Sequence, residues 1–370
     1  MSAGVGDKGP RLALLMAATA LLAACATAPR PPPVDPDAAR ARIRALIPAT
    51  VANTEGWAID IHAAFESLGL PLTAEHLCGV VAVIDQETNF QVDPAVPGLP
   101  AIARREMEAR AASRHIPKFM LSAALELRSL DGRSYGERMD GARTERDLSE
   151  LFEDFIRAVP LGERLFGDLN PVRTGGPMQV SIAFAERHAK AKRYPYPMTG
   201  TVRAEVFTRR GGLYFGIAHL LDYTAPYDDM VFRFADYNAG HFASRNAAFQ
   251  NAVHIVSGKR LALDGDLLIE GSDEPSATEL AVRAIGARLD LDDAQIRTAL
   301  ERGHEVEFER TSLYSRVMAL ADAAPPGRPV PRALVPRITL KSPKITRNLT
   351  TDWFASRVEG RYERCLARAG

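Results

Sequence analysis

Net charge is the first thing this sequence lacks. Its 46 lysines and arginines balance 46 aspartates and glutamates. No global field therefore draws the chain to nucleic acid or to an acidic surface, and a neutral or polymeric substrate fits at least as well. A membrane span is also missing from the N-terminus, where the apolar run Leu12 to Leu22 is too short to cross a bilayer comfortably. The 8 histidines show neither HxxxH nor HxH spacing, so no metal site is expected. There is no GxSxG nucleophile elbow and no internal repeat. Gly4 to Gly9 fits GxGxxG, but no strand precedes it and no βαβ unit follows, so it implies no dinucleotide site. Arg104-Arg105 and Arg209-Arg210 read as solvated faces.

What is present begins at the N-terminus. Lys8 and Arg11 precede the apolar run, which ends in Leu22-Ala23-Ala24-Cys25. A basic start and small residues before a cut describe a secretory signal. The cysteine directly after them resembles the bacterial lipobox. That resemblance implies cleavage before Cys25, acylation of Cys25 and a firm lipid anchor, each buried methylene contributing roughly 0.8 kcal/mol. Ala26 in place of Asp implies the outer membrane, facing the periplasm. Residues 26–37 carry five prolines and read as an extended spacer. Of the 3 cysteines, Cys78 and Cys365 remain. An even pair in an oxidising compartment suggests a disulfide, although two separate buried thiols satisfy the sequence equally.

The body reads as mainly α. Helical periodicity covers Asp37 to Leu46, Trp57 to Leu68 with Gly69 as a stop, and Thr73 as a cap through Glu87. It returns at Ala101 to Arg114, Pro117 to Leu130, Glu145 to Val159, Gly211 to Tyr223 and Asp228 to Asn238. Leu280 to Leu289, Asp293 to Arg302, Thr311 to Ala323 and Asp352 to Ala369 complete the set. Asp264-Gly265 suggests a hairpin over Arg260 to Glu270.

The helix from Thr73 carries the candidate chemistry. Leu77, Val80, Val81 and Ile84 form one apolar stripe, and Glu87 continues it. Burial and the negative end of the helix dipole both disfavour a carboxylate there, which raises its pKa and suits general acid catalysis. A glutamate that merely emerges into solvent, or pairs with a buried arginine, is the other reading. Three later segments bear on the choice: Gly175-Gly176-Pro177-Met178-Gln179, a glycine turn before a helix; Leu213 to Leu221, LYFGIAHLL; and Ala235-Asp236-Tyr237-Asn238-Ala239-Gly240.

In order and type, these segments resemble the lytic transglycosylases of the goose-type lysozyme superfamily, over roughly Thr73 to Phe249. The resemblance implies a lysozyme-like domain at residues 38–257, with a helical insertion at about 91–174 and a C-terminal extension, hairpin plus helices, at 258–370. It implies Glu87 as the catalytic acid and base, with Met178, Gln179, Tyr237 and Asn238 binding substrate. No metal or cofactor is required. The implied partner is the peptidoglycan glycan strand, and the insertion could cover the cleft or bind an envelope protein. Thr88 stands where the family has Ser, Pro177 where it has Leu, and Asp236 where it has a small residue. A hydrolytic muramidase, using Asp93 or Asp236 to place water, and a non-catalytic peptidoglycan-binding lipoprotein are the alternatives.

Overall fold

A computed structural model describes residues 35–158, 170–340 and 349–369. The signal, Cys25 and the spacer up to residue 34 lie outside them. The chain divides into two units, Met1–Ala39 and Arg40–Gly370. Of the first, the described part is the opening of helix α1 (Pro36–Leu46). The second holds all the other elements.

Side-chain caps set the helix ends. α2 (Thr54–Leu68) starts where the Asn53 side chain accepts the Gly56 N–H, and stops at Gly69 in the left-handed conformation. α3 (Ala74–Glu87) starts where the Thr73 hydroxyl accepts the His76 N–H at 3.2 Å. Each such cap contributes about 1 kcal/mol. Residues 91–174 hold α4 (Leu99–Ser113), α5 (Lys118–Glu126), α6 (Tyr135–Gly141) and α7 (Glu145–Ala158). The short α6 has no periodicity to announce it and is opened by a Ser134–Glu137 capping box.

A minimal hairpin comes next, β1 (Thr174–Gly175) antiparallel to β2 (Val180–Ser181). It leads into α8 (Ile182–Ala191), α9 (Val202–Val206), α10 (Arg209–Leu221), α11 (Met230–Ala239) and α12 (Ala243–Ser257). The C-terminal part comprises α13 (Ala277–Arg283), α14 (Gly286–Leu289), α15 (Asp293–Glu301), two 3-10 turns across Arg302–Arg310, and α16 (Ser312–Ala323). A second two-residue ladder joins β3 (Thr339–Leu340) to β4 (Leu349–Thr350), and α17 (Thr351–Ala369) closes the chain.

The fold is thus almost entirely α-helical. The hairpin expected over Arg260 to Glu270 does not form, and the segment is irregular. Its backbone is held by side chains instead: Gly265 N–H donates to Gln250 Oε1 (2.9 Å), and Asn246 Nδ2 donates to Gly265 O (3.1 Å). Those bonds occupy groups that a cross-strand ladder would have used.

Two apolar cores organise the helices. In the first, α3 is buried without interruption from Leu77 to Ile84, so it is a central helix rather than a stripe-faced one. It packs against α10, α11 and α17. Each fully buried Leu, Val or Ile contributes about 1.5–3 kcal/mol. The second core gathers Phe249 and Val253 of α12 with Val282, Ile296, Leu300, Phe308 and Val317. α12 therefore belongs to the C-terminal core, while α17 returns to the first. Among the described residues, no helix is long and apolar enough to cross a membrane.

Cys78 and Cys365 form a disulfide, with Cα atoms 5.4 Å apart, that fixes α17 against α3. It closes a loop across 287 positions. Chain entropy alone makes such closure worth about 2–5 kcal/mol. Chemical denaturation with and without reductant is therefore expected to differ by that amount. Coincident curves would show that packing alone holds α17.

Candidate functional site

Glu87 ends the buried helix and is itself half-buried, at the point where α3 opens to solvent. Thr88 stops the helix. Its Oγ1 donates to Pro177 O at 2.8 Å, in a buried bond across 89 positions. The next two residues take left-handed backbone, Asn89 at φ 50° and Phe90 at φ 60°. Phe90 is anchored edge-on to Trp57, centroids 5.2 Å apart. Gln179 (φ 49°) and Phe242 (φ 66°) share this conformation. Four of the seven such non-glycine residues in the described chain thus sit in or just after the motifs singled out in the sequence. Each costs about 1–3 kcal/mol and persists only where surrounding structure enforces it.

The Gly175–Gln179 turn is the tip of the β1–β2 hairpin. Gly176 sits at φ 71°, and a Cβ there would lie 2.1 Å from Val206 O, so only glycine fits. Met178 is fully buried against Gly216, where an added Cβ would meet its Cβ and Sδ at 2.6 Å. The Tyr237 hydroxyl donates to Met178 O at 2.6 Å. Gln179 is held within the hairpin, its Oε1 accepting from Thr174 Oγ1 at 3.2 Å.

Tyr237 is buried, and its pKa lies well above the ordinary tyrosine value, first from burial and then from the negative charge of Glu87. It stays a neutral donor. Its neighbour Asp236 is fully buried and accepts from Phe242 N (3.0 Å), Ser244 N (2.7 Å), Tyr223 Oη (3.1 Å) and Tyr227 Oη. Desolvation raises its carboxyl to about 6 against these hydrogen bonds. Asp236 therefore locks the turn into α12. Asn238 is exposed, with Oδ1 accepting from Thr351 Oγ1 at 3.1 Å.

These pieces border one cleft of about 1200 Å³, lined by Glu87, Gln179, Tyr237 and Asn238 among others. Met178, expected at its surface, is instead a buried support whose carbonyl holds Tyr237. Neither Asp93 nor Asp236 lines the cleft, so the water-placing carboxylates named for a hydrolase lie elsewhere. Among the described residues, the carboxylates that do line it besides Glu87 are Asp266 and Glu270. Among the described residues, no group of three His, Cys, Asp or Glu could hold a metal ion.

Two features are not visible in the sequence. One is a ring stack under the cleft. His219 lies 4.5 Å from Phe184, 4.9 Å from Tyr237 and 4.6 Å from His241, whose ring stacks on Tyr223 at 4.0 Å. His219 Nε2 bonds Tyr237 O (3.3 Å) and His241 Nε2 bonds His219 O (2.7 Å). A carbonyl only accepts, so both Nε2 atoms carry hydrogen. The other is a wall from the C-terminal part, including Asp266, Glu270, Gly303 and His304. For the first, the sequence holds no motif that joins His219 to His241. For the second, the density of amides in Asn246 and Gln250 is the hint.

This geometry defines a class: a helical protein with a cleft lined in part by its own C-terminal part. Residues 50–368 match the family described as "Protein of unknown function (DUF1615)", and the chain belongs to that family. It is 55% identical over 324 residues to the Escherichia coli (strain K12) protein called "Uncharacterized protein YaiW", a match that covers 88% of each chain. No solved structure gives a significant match.

The buried imidazole yields a pH prediction. Burial, and then the positive charge of His241 and Arg187, push His219 down to about 3 from 6.5. The native state resists its protonation, so its stabilising share is intact above pH 6.5 and is lost as pH falls toward 3. The slope is at most about 1.4 kcal/mol per pH unit. His219→Phe keeps a ring and removes the titration. Unfolding free energies measured from pH 6.5 down toward pH 3 are expected to fall less steeply in the variant; parallel slopes would contradict this account.

Proposed function

We propose that the chain is a lytic transglycosylase with a lysozyme-like core, cleaving peptidoglycan glycan strands with Glu87 as both acid and base. The observation that carries this reading is the convergence of Glu87, Gln179, Tyr237 and Asn238 on one cleft. The Thr88–Pro177 bond gives physical sense to a hydroxyl residue after the glutamate, since it fastens the acid to the hairpin tip.

In the reaction, the Glu87 carboxyl gives its proton to the glycosidic oxygen as the C1–O bond breaks. The substrate's N-acetyl group stabilises the positive charge developing at C1. The Glu87 carboxylate then takes the proton of the same sugar's C6 hydroxyl, whose oxygen bonds to C1. Water is not consumed, and the product ends in a 1,6-anhydro ring. Intramolecular attack supplies an effective molarity on the order of 10⁵–10⁸ M, which lets one carboxyl do what glycosidases usually divide between two. Tyr237 is a positioning residue here: its hydroxyl is committed to Met178 O, and its ring shapes the cleft. Asn238 and Gln179 offer amides to substrate N-acetyl groups. No metal or cofactor enters. Lipidation at Cys25 would hold the enzyme at the outer membrane beside its polymer.

The test is digestion of purified sacculi, with released fragments weighed by mass spectrometry. Wild type is expected to release anhydro-ended fragments, and Glu87→Gln to be slower by about 10²–10⁴-fold. Equal release by both proteins would reject Glu87. Reducing ends would point to hydrolysis assisted by Asp266 or Glu270. Retention on sacculi without release would point to the binding lipoprotein.

A further inference from the structure

The cleft is larger than chemistry at Glu87 requires, and its charge is unevenly laid out. Among the described residues, Arg187 of α8 is the one arginine or lysine lining it. It is exposed and makes no ion pair among those residues. Asp266 and Glu270 line the C-terminal wall, also exposed, and neither carboxylate is paired or hydrogen-bonded among the described residues. Desolvation, with the negative charge of Asp264 and Glu270, holds Asp266 above the usual carboxylate range.

This wall is built at a cost. Arg245, fully buried, donates to Glu305 O at 2.8 Å and also to Gly303 O. Asn246 Nδ2 donates to Gly303 O at 2.9 Å, and Gln250 Nε2 donates to Asp266 O at 3.0 Å. Burying three polar side chains is unfavourable unless every group finds a partner. Here they fix two segments, around Gly303 and around Asp266, that both line the cleft.

We infer that Arg187 and the Asp266–Glu270 pair form a subsite for a zwitterionic peptide attached to the glycan, Arg187 taking a carboxylate and the acidic pair a free ammonium. One cation and two carboxylates in the same cleft do not suit a polyanion, and among the described residues the acidic pair lacks the third ligand a metal would need. The inference rests on reading the cleft as a glycan groove and adds the class of strand it selects: peptide-bearing rather than stripped.

Calorimetry on the full chain carrying Glu87→Gln tests it, with binding separated from cleavage. The probes are a GlcNAc–MurNAc disaccharide bearing a tetrapeptide with a free diamino-acid amine, the same compound with that amine acetylated, and the peptide-free disaccharide. The tetrapeptide probe is expected to bind at least about tenfold more tightly than the peptide-free one, roughly 1.4 kcal/mol. Arg187→Gln, and Asp266→Asn with Glu270→Gln, should each bring that ratio toward one with unchanged melting. Acetylation should remove the sensitivity to the acidic pair and keep that to Arg187. Equal affinity for the tetrapeptide and peptide-free probes, or a ratio that neither variant moves, would overturn the subsite and leave the glycan reading intact. Binding of no probe would overturn both. Selective binding without cleavage of sacculi by wild type would keep the subsite and reject the transglycosylase.

Discussion

One buried hydroxyl ties Glu87 to the hairpin that carries Gln179. Thr88 Oγ1 donates to Pro177 O, so the end of the central helix and the tip of the β1–β2 hairpin move as a unit. The next carbonyl along that tip, Met178 O, receives the Tyr237 hydroxyl. Three stretches far apart in sequence are therefore tied through two adjacent carbonyls, in a region where buried hydrogen bonds cannot be exchanged for water. The left-handed residues Asn89, Phe90 and Gln179 show the backbone strain this convergence sustains. Loosening the hairpin would shift Glu87 relative to every group that gives it meaning.

Much of this is legible in the residues, because the signals are local. Thr73 as a cap, Gly69 as a stop and the apolar run up to Ile84 place α3 within a residue of where it lies. The motif around Met178 and Tyr237 is likewise readable, although side-chain burial is not: Met178 reads as a cleft residue until Gly216 is seen to leave room for it beneath the surface. The losses have one cause. α12 is built around Ser244, Arg245, Asn246 and Gln250, all buried and all polar. They interleave with the buried Ala247, Ala248, Phe249, Ala252 and Val253, so burial on nearly every side leaves no single apolar stripe for periodicity to reveal. Asp264-Gly265 carries a genuine turn signal, but partners on α12 claim the backbone groups that a second strand would have met. The signal is local and the outcome tertiary. The ring stack of His219, His241 and Tyr223 joins α10 to the segments flanking α11, and no spacing rule reports such a meeting.

The two cores divide the work. The first, tied by Cys78–Cys365, sets Glu87 and the hairpin in place. The second, centred on Phe249 of α12, supplies a wall bearing Asp266, Glu270 and His304. Because α12 follows directly on the Asp236–Gly240 turn, and Asp236 accepts from the backbone of Phe242 and Ser244, the placement of that wall is coupled to that of Tyr237. A cleft lined from both cores can pair chemistry at one end with selection at the other. The match to the DUF1615 family, residues 50–368, spans both cores.

On the proposed reading, a glycan strand lies across this cleft with its scissile bond at Glu87. A crystal structure of Glu87→Gln grown with a peptidoglycan-derived tetrasaccharide tests it most directly. A glycosidic oxygen is expected within hydrogen-bond distance of the amide that replaces the Glu87 carboxyl, with an N-acetyl group against Asn238 or Gln179. Sugar bound elsewhere on the surface, or an empty cleft at saturating ligand, would contradict it.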